Sequence, residues 1–161
     1  MKLSTRARYA LRMALDIARH GNEETPVSLG DVAKRTELSR GYLEQLAMVL
    51  RSASLVRGVA GKQGGYFLCR PPADITLLDI IEAAIGPVAI LDCLGDPDQC
   101  ALTGDCECRL VYMLINRRIT EVFADYTLAD LADPKWAGAM ERKLSGLDAA
   151  KAGRPPRACG A

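Results

Sequence analysis

Ser39-Arg40-Gly41-Tyr42-Leu43-Glu44-Gln45-Leu46-Ala47-Met48-Val49-Leu50 is the stretch on which the fold turns. Leu43, Leu46, Ala47 and Leu50 recur at helical spacing, and Ser39 stands where an N-cap is required. The opposite face is polar, with Arg40, Glu44 and Gln45. Just upstream, Glu37-Leu38-Ser39 reads as a turn, and before it Ser28 and Asp31 form a capping pattern for a short helix that turns Leu29, Val32 and Ala33 inward. Further back, Ser4 can cap a helix to about Arg19, with Tyr9, Leu11, Met13, Leu15 and Ile17 as its larger apolar residues and Gly21-Asn22 as its stop. Downstream, Leu55-Val56-Arg57 and Tyr66-Phe67-Leu68 are strand candidates joined by a link carrying Gly61, Lys62, Gln63, Gly64 and Gly65. Three short helices followed by a Gly-rich two-stranded wing predict a winged helix-turn-helix in a mainly α protein.

Such a unit presents the N-terminal part of its third helix to the major groove of double-stranded DNA. The residues there suit the task. Beside Ser39 at the leading end, Tyr42 can hydrogen-bond a phosphate, Arg40 can reach a phosphate or a guanine edge, Gln45 an adenine, and Glu44 the amino group of cytosine. Lys62 and Gln63 at the wing tip suit phosphate or the minor groove. Arg6, Arg8 and Arg12 add positive charge near the start of helix one.

Charge supports this placement. Residues 1–72 hold 12 Lys and Arg against 6 Asp and Glu, a net of +6. Residues 73–134 hold 3 against 12, a net of −9, and residues 135–161 hold 6 against 2, a net of +4. A basic front suits a polyanion and an acidic middle does not.

Pro71-Pro72 closes the front segment. Thr76 with Asp79 caps a further helix that ends near Gly86-Pro87. A long helix is expected from about Arg109 to Tyr126, with Leu110, Leu114, Ile115, Ile119, Val122, Phe123 and Tyr126 as an apolar stripe. So small a chain has too little of itself to cover such a helix, which predicts a dimerisation element and a homodimer. Thr127 and Asp130 cap one more short turn, 135–146 can form a short helix, and the tail around Lys151–Arg157 reads as disordered. The expected organisation is a DNA-binding unit over 1–72, a sensor loop (91–107) and dimerisation helix over 73–132, and a largely flexible extension over 133–161.

Four of the six cysteines fall in sixteen residues: Cys93, Cys100, Cys106 and Cys108. The loop that holds them is rich in Asp and Gly and lacks apolar periodicity, so the thiolates can converge on one metal centre. A zinc site lacks a Cys-x2-Cys knuckle. A metal-free thiol switch is the other option, with Cys106 and Cys108 beside Arg109. Cys69, on a wing strand, reads as a packing residue, and Cys159 as a bystander in the tail. No secretory signal or membrane-length apolar run is seen, so a cytoplasmic location without membrane contact is expected, where clustered cysteines bind metal or do redox work more often than they form structural disulfides. His20, the only histidine, ends helix one and reads as a solvated or capping residue. No catalytic constellation accompanies it, so no enzyme activity is expected.

Met1-Lys2-Leu3-Ser4 with Arg8-Tyr9-Ala10, Ser39-x-x-Tyr42-Leu43-Glu44-Gln45-Leu46, Leu50-x5-Val56 and Gly64-Gly65-Tyr66 together resemble the IscR/NsrR family, across about residues 1–132. The resemblance implies a dimeric winged-helix regulator with an iron–sulfur cluster, and puts Tyr42, Glu44 and Gln45 at operator-reading positions. Cys93, Cys100 and Cys106 match the cluster loop. In members that use histidine, it lies three residues after the third cysteine, which here is Arg109. Others take an acidic ligand from helix one of the partner, and the matching position here is Arg8. Neither arginine is a suitable ligand, which leaves Cys108 as the candidate fourth, with Glu107 and Asp105 behind it. Either a [2Fe–2S] or a [4Fe–4S] cluster is compatible. The wing departs from the family pattern: Ala60 falls where some members carry a DNA-contacting Arg, and Lys62 or Arg57 would substitute. The implied signals are iron or cluster supply, nitric oxide or oxidants. A metal-free thiol-switch or metabolite-sensing regulator of the same fold is the alternative.

Overall fold

The computed structural model describes residues 3–61, 63–100 and 105–152, without the side chains of Pro97 and 148–152. Lys62, Cys159 and the tail beyond 152 therefore lie outside the described residues, as do 101–104 of the cysteine loop.

Three helices open the chain: α1 (Thr5–His20), α2 (Leu29–Thr36) and α3 (Arg40–Ser52). Each starts at the expected serine. The Ser4, Ser28 and Ser39 hydroxyls accept from the backbone N–H of Ala7, Asp31 and Tyr42. Glu37 takes a left-handed conformation (φ 59°) and so turns the chain from α2 into α3. Leu43, Leu46, Ala47 and Leu50 are the buried residues of α3, as their spacing predicts. They meet Ala10, Met13, Ala14 and Ile17 of α1 and Val32 of α2 in one apolar core.

The wing is an antiparallel pair, β1 (Val56–Val59) and β2 (Gly65–Leu68), with Arg57 opposite Phe67 and Gly58 opposite Tyr66. It runs further than the apolar pattern predicts because glycines extend it. Gly65 lies so close to the Val27 carbonyl that a Cβ would approach its oxygen to 2.5 Å. There Val27 and Tyr66 exchange two backbone hydrogen bonds of 2.9 Å, which tie the wing to the segment before α2.

A short 3-10 turn (Pro72–Asp74) leads to α4 (Leu77–Ile85), which starts at a complete Thr76/Asp79 capping box. The cysteine loop is more ordered than its composition suggests: it contains the short helix α5 (Asp92–Gly95) and a 3-10 turn (Pro97–Gln99). Helix α6 (Glu107–Asp125) starts two residues before the expected Arg109. The chain then rejoins the core. Leu77 N–H donates to Tyr126 O and Leu128 N–H to Ile75 O, each at 2.9 Å. These bonds dock α7 (Leu128–Ala132), itself started by a Thr127/Asp130 capping box, against α1. Ile75, Ile80, Ile81, Ala84 and Leu128 join the same core as α1 and α3.

Helix α8 (Trp136–Ala152) outruns the expected 135–146 and takes in Lys151, which the sequence reading places in the tail. It has no clear apolar stripe, but Ala, Leu, Met, Lys, Arg and Glu favour a helix without one. Trp136 packs edge-on against Tyr126, and Lys143 Nζ donates to the Tyr126 hydroxyl at 2.6 Å. No helix among the described residues is long and apolar enough to cross a membrane.

Candidate nucleic-acid interface and sensor loop

With its apolar face buried, α3 turns Arg40, Glu44 and Gln45 to solvent. A cleft of about 670 Å³ runs between this face and the wing. Arg40, Glu44 and Arg51 line one side, four glycines of the wing with Val59, Ala60 and Tyr66 line the other, and Ser28 to Gly30 at the start of α2 close it. Glycine along the wing wall exposes stretches of backbone to whatever enters. Arg40 Nε lies 3.2 Å from Glu44 Oε1, both groups largely exposed, so the acid is held in check by its own helix.

Tyr42 is half-buried, its ring edge-on to Tyr9 at 6.0 Å between centroids. The Arg8 and Arg12 guanidiniums lie over that same Tyr9 ring, at 5.1 and 6.0 Å. Two cations of α1 are thereby gathered beside the start of α3. Ser39 has a double use: its oxygen caps α3, and its O–H retains the capacity to donate outward. Gln63 is exposed at the wing tip, and its neighbour Lys62 lies outside the described residues.

Arg57 does not share this cleft. Its guanidinium lies 4.2 Å above the Phe67 ring, and it lines a separate hollow with Cys69, Arg70 and the end of α1. Arg51 is the residue that the reading of the sequence missed. It stands seven positions after Glu44, two helical turns along the same face, so strict periodicity would have found it. Cys69 also corrects its expectation. It follows β2 rather than lying in it, and it is exposed rather than packed, because Leu68 is the last paired residue. His20 behaves as a terminal residue should. Its Nδ1 lies 2.9 Å from the Asp16 carbonyl oxygen and 3.4 Å from the Asp16 carboxylate. Arg35 grips that carboxylate with two nitrogens, at 2.9 and 2.7 Å, and the carboxylate in turn holds the arginine's pKa above its ordinary value.

The cysteines are distributed around the root of α6. Cys93 lies in α5, Cys100 follows the 3-10 turn, and Cys106 is the N-cap residue of α6; all three are half-buried. Cys108, in the first turn of α6, is exposed. Asn116 fastens the approach to this loop: its side-chain oxygen accepts from Ile90 N–H at 2.9 Å and its amide donates to Val88 O at 3.0 Å. Polar composition alone gave no sign of that clamp. Within the loop, Asp96 accepts from the Gln99 side chain and from Asp98 N–H, which lowers its pKa.

In donor chemistry the set suits an iron–sulfur cluster: three half-buried thiols and an exposed one within sixteen residues. In geometry the set is not assembled. Among the described residues no three His, Cys, Asp or Glu side chains stand close enough together to hold a metal ion.

Along α6 the stripe faces outward. Leu110, Leu114, Ile115 and Val122 are 72, 56, 43 and 53% exposed, and no residue of the helix is fully buried. Leu114, Ile115, Ile119, Val122 and Phe123 form an almost wholly apolar groove with Arg118 at its rim.

Residues 3–134 match the Rrf2 family model, described as an iron-dependent transcriptional regulator. The protein rrf2 of Nitratidesulfovibrio vulgaris is 38% identical over 131 residues, covering 81% of this chain and 87% of that protein. The structure of CymR, the global cysteine regulator of B. subtilis, superposes with a TM-score of 0.67 at 36% identity, covering 82% of this chain and 96% of that one. The structure of T. potens IscR superposes at 0.63 with 38% identity, covering 81% and 85%. The chain belongs to the Rrf2 family of winged-helix, DNA-binding transcriptional regulators.

Proposed function

We propose that this Rrf2-family regulator works as a homodimer whose operator affinity is set by an iron–sulfur cluster held through Cys93, Cys100 and Cys106, with Cys108 as fourth ligand. The observation that carries the proposal is the placing of three half-buried thiols in α5, after the 3-10 turn and at the N-cap of α6, a 19-residue helix with no fully buried residue. In this reading residues 1–72 contact DNA, 73–132 sense and dimerise, and 133–161 form an extension. Ser39, Arg40, Tyr42, Glu44 and Gln45 meet the major groove, with Gln63 and Lys62 at the wing and Arg51 added from the cleft. Arg57, stacked on Phe67, would have to swing free to take part.

When bound, a cluster supplies a redox-active centre open to oxidants and nitric oxide. The chain's own residues do the rest. Cys93 belongs to α5 and Cys106 begins α6, so drawing them together fixes the loop against the dimerisation helix. Asn116 passes that restraint to residues 88–90, directly after α4, and α4 packs on α1 and α3. The two recognition helices of a dimer must lie about 34 Å apart, one turn of DNA, so a small change in loop and α6 can move affinity.

The likeness to CymR and the unassembled ligand set favour a second reading, a metal-free thiol-switch or metabolite-sensing regulator of the same fold. Selection from a random duplex pool by the anaerobically purified protein, before and after iron chelation, separates the two. Enrichment that changes on chelation supports cluster control. Identical sequences and affinities in both states would overturn it.

A further inference from the structure

Behind the wing lies a hollow of about 530 Å³, a size that suits a small molecule. It forms where three parts of the chain meet: the end of α1, the root of β1 and β2, and the Pro71-Pro72 step toward α4. Ile17 and Phe67, both buried, give it an apolar lining, and the two prolines give it a stiff wall. Its charge is one-sided, with Arg57 and Arg70 against a single acid, Glu23. Among the described residues Arg57 takes part in no ion pair; its guanidinium lies over the Phe67 ring. A ring steadies a guanidinium through its face and uses none of its N–H donors. Arg70 reaches Asp79 Oδ2 only at 3.4 Å, in an exposed and weak pair, and that oxygen already accepts from Thr76 N–H at 3.0 Å. Two arginines with donors to spare thus border an apolar hollow.

The wing walls this hollow and the α3 cleft alike. Arg57 and Phe67 form the rung next to Gly58 and Tyr66. The first pair lines the hollow and the second the cleft, since side chains on neighbouring rungs point to opposite faces.

We infer that the hollow is an effector site for a small organic acid, with its apolar body against Phe67 and Ile17 and its carboxylate on Arg57 and Arg70. Occupancy moves the wing and with it DNA affinity. A guanidinium fork matches a carboxylate with two parallel hydrogen bonds. Arg57 belongs to the wing and Pro71 does not, so a ligand touching both favours one wing position over another. The inference gives a site and a ligand class to the metabolite-sensing reading. It rests on the wing taking part in DNA binding, and on no metal at the cysteine loop.

The test uses the full chain with butyrate, hexanoate and phenylacetate, each beside its uncharged primary amide. Binding is read by calorimetry and by alkylation of Cys69, an exposed thiol in the lining, with exposed Cys108 of α6 as internal control. At least one acid should bind and slow alkylation at Cys69 but not at Cys108. Its amide should bind about ten- to a hundredfold less tightly, the usual worth of hydrogen bonds to a charged group. Arg57→Gln should bring a similar loss, and Arg118→Gln, at the rim of the α6 groove, should bind as wild type does. The acid should also change affinity for a duplex selected from a random pool by about 5- to 150-fold. No binding by any of the acids, equal binding of acid and amide, or unaltered binding in Arg57→Gln would overturn the site. The comparison of acid with amide needs no variant, so it decides the matter even if Arg57→Gln does not fold. Binding that leaves DNA affinity unchanged would overturn the effector role. A wild-type chain that selects no duplex would instead bring down the wing's part in DNA binding, and the effector role with it.

Discussion

Helix α1 has 16 residues and α6 has 19, and both carry a run of apolar side chains, yet α1 buries Ala7, Ala10, Met13, Ala14, Asp16 and Ile17 while α6 buries none. The front of the molecule completes its own core, with α2, α3, α4 and α7 closing around α1. The region of α6 and the cysteine loop is finished only in outline. Its apolar groove faces solvent, and its thiols, clustered in sequence, form no metal-binding group among the described residues. The contrast teaches where regulation can enter. A closed core resists change, whereas an uncovered apolar surface and, in the proposed reading, a set of thiols awaiting a metal would both respond to supply.

Substitution on α6 should divide the two regions most sharply. Leu114→Glu is expected to weaken the proposed homodimer by about 3–6 kcal/mol, since two leucines per dimer would each lose about 1.5–3 kcal/mol of burial. Sedimentation should then show monomer. A wild-type chain that is itself monomeric at micromolar concentration would break the comparison. Leu43→Ala, in the closed core, should cost about 2–5 kcal/mol of unfolding free energy by denaturant titration, whereas Leu114→Ala in dilute monomer should change it by no more than about 0.5 kcal/mol. Equal losses would mean that α6 is packed in a way its exposure does not reveal.

On the DNA face, Gln45→Ala or Glu44→Ala should relax sequence discrimination by about 1–3 kcal/mol for each base that is no longer read. Unchanged discrimination between selected and scrambled duplexes would remove α3 from the reading role. Because Arg40 holds Glu44, Arg40→Ala should, in the proposed interface, weaken binding and shift sequence preference.

The smallest effect concerns pH. Thr127 donates to the Asp130 carboxylate through its N–H and its hydroxyl, which lowers the pKa of Asp130 in the folded state. A depressed carboxylate pKa adds stability that is present above the unfolded-state value and lost as pH falls through the folded one. Asp130→Asn should therefore lower stability at neutral pH toward the acid value and flatten the acid limb of the stability curve, with little change below the folded-state pKa. An acid limb identical to wild type would show that the capping box contributes nothing there.

Much of this architecture is legible in the residues. Serines at 4, 28 and 39 and threonines at 76 and 127 announce five helix starts because a hydroxyl at that position satisfies an otherwise unpaired N–H. The spacing of Leu43, Leu46, Ala47 and Leu50 gives the buried side of α3. What escaped is what depends on backbone or on distant partners. The wing runs on through Gly58 and Gly65, where no apolar side chain marks a strand. Asn116 reaches 26 and 28 residues back to Ile90 and Val88, a contact no local pattern encodes. Arg57 reads as a groove-seeking cation but stacks on Phe67, because alternation along β1 turns it away from α3. The cysteines were legible as a set, but their assembly depends on a loop whose residues 101–104 lie outside the described structure.

That this loop holds a cluster is tested most directly by counting iron and acid-labile sulfide in anaerobically purified protein, wild type beside Cys106→Ala. The prediction is near-stoichiometric iron and sulfide with visible absorption in the wild type, and loss of both in the variant while the fold of α1 to α4 persists by circular dichroism. A colourless wild type that cannot be reconstituted, or a colour indifferent to Cys106→Ala, would contradict it.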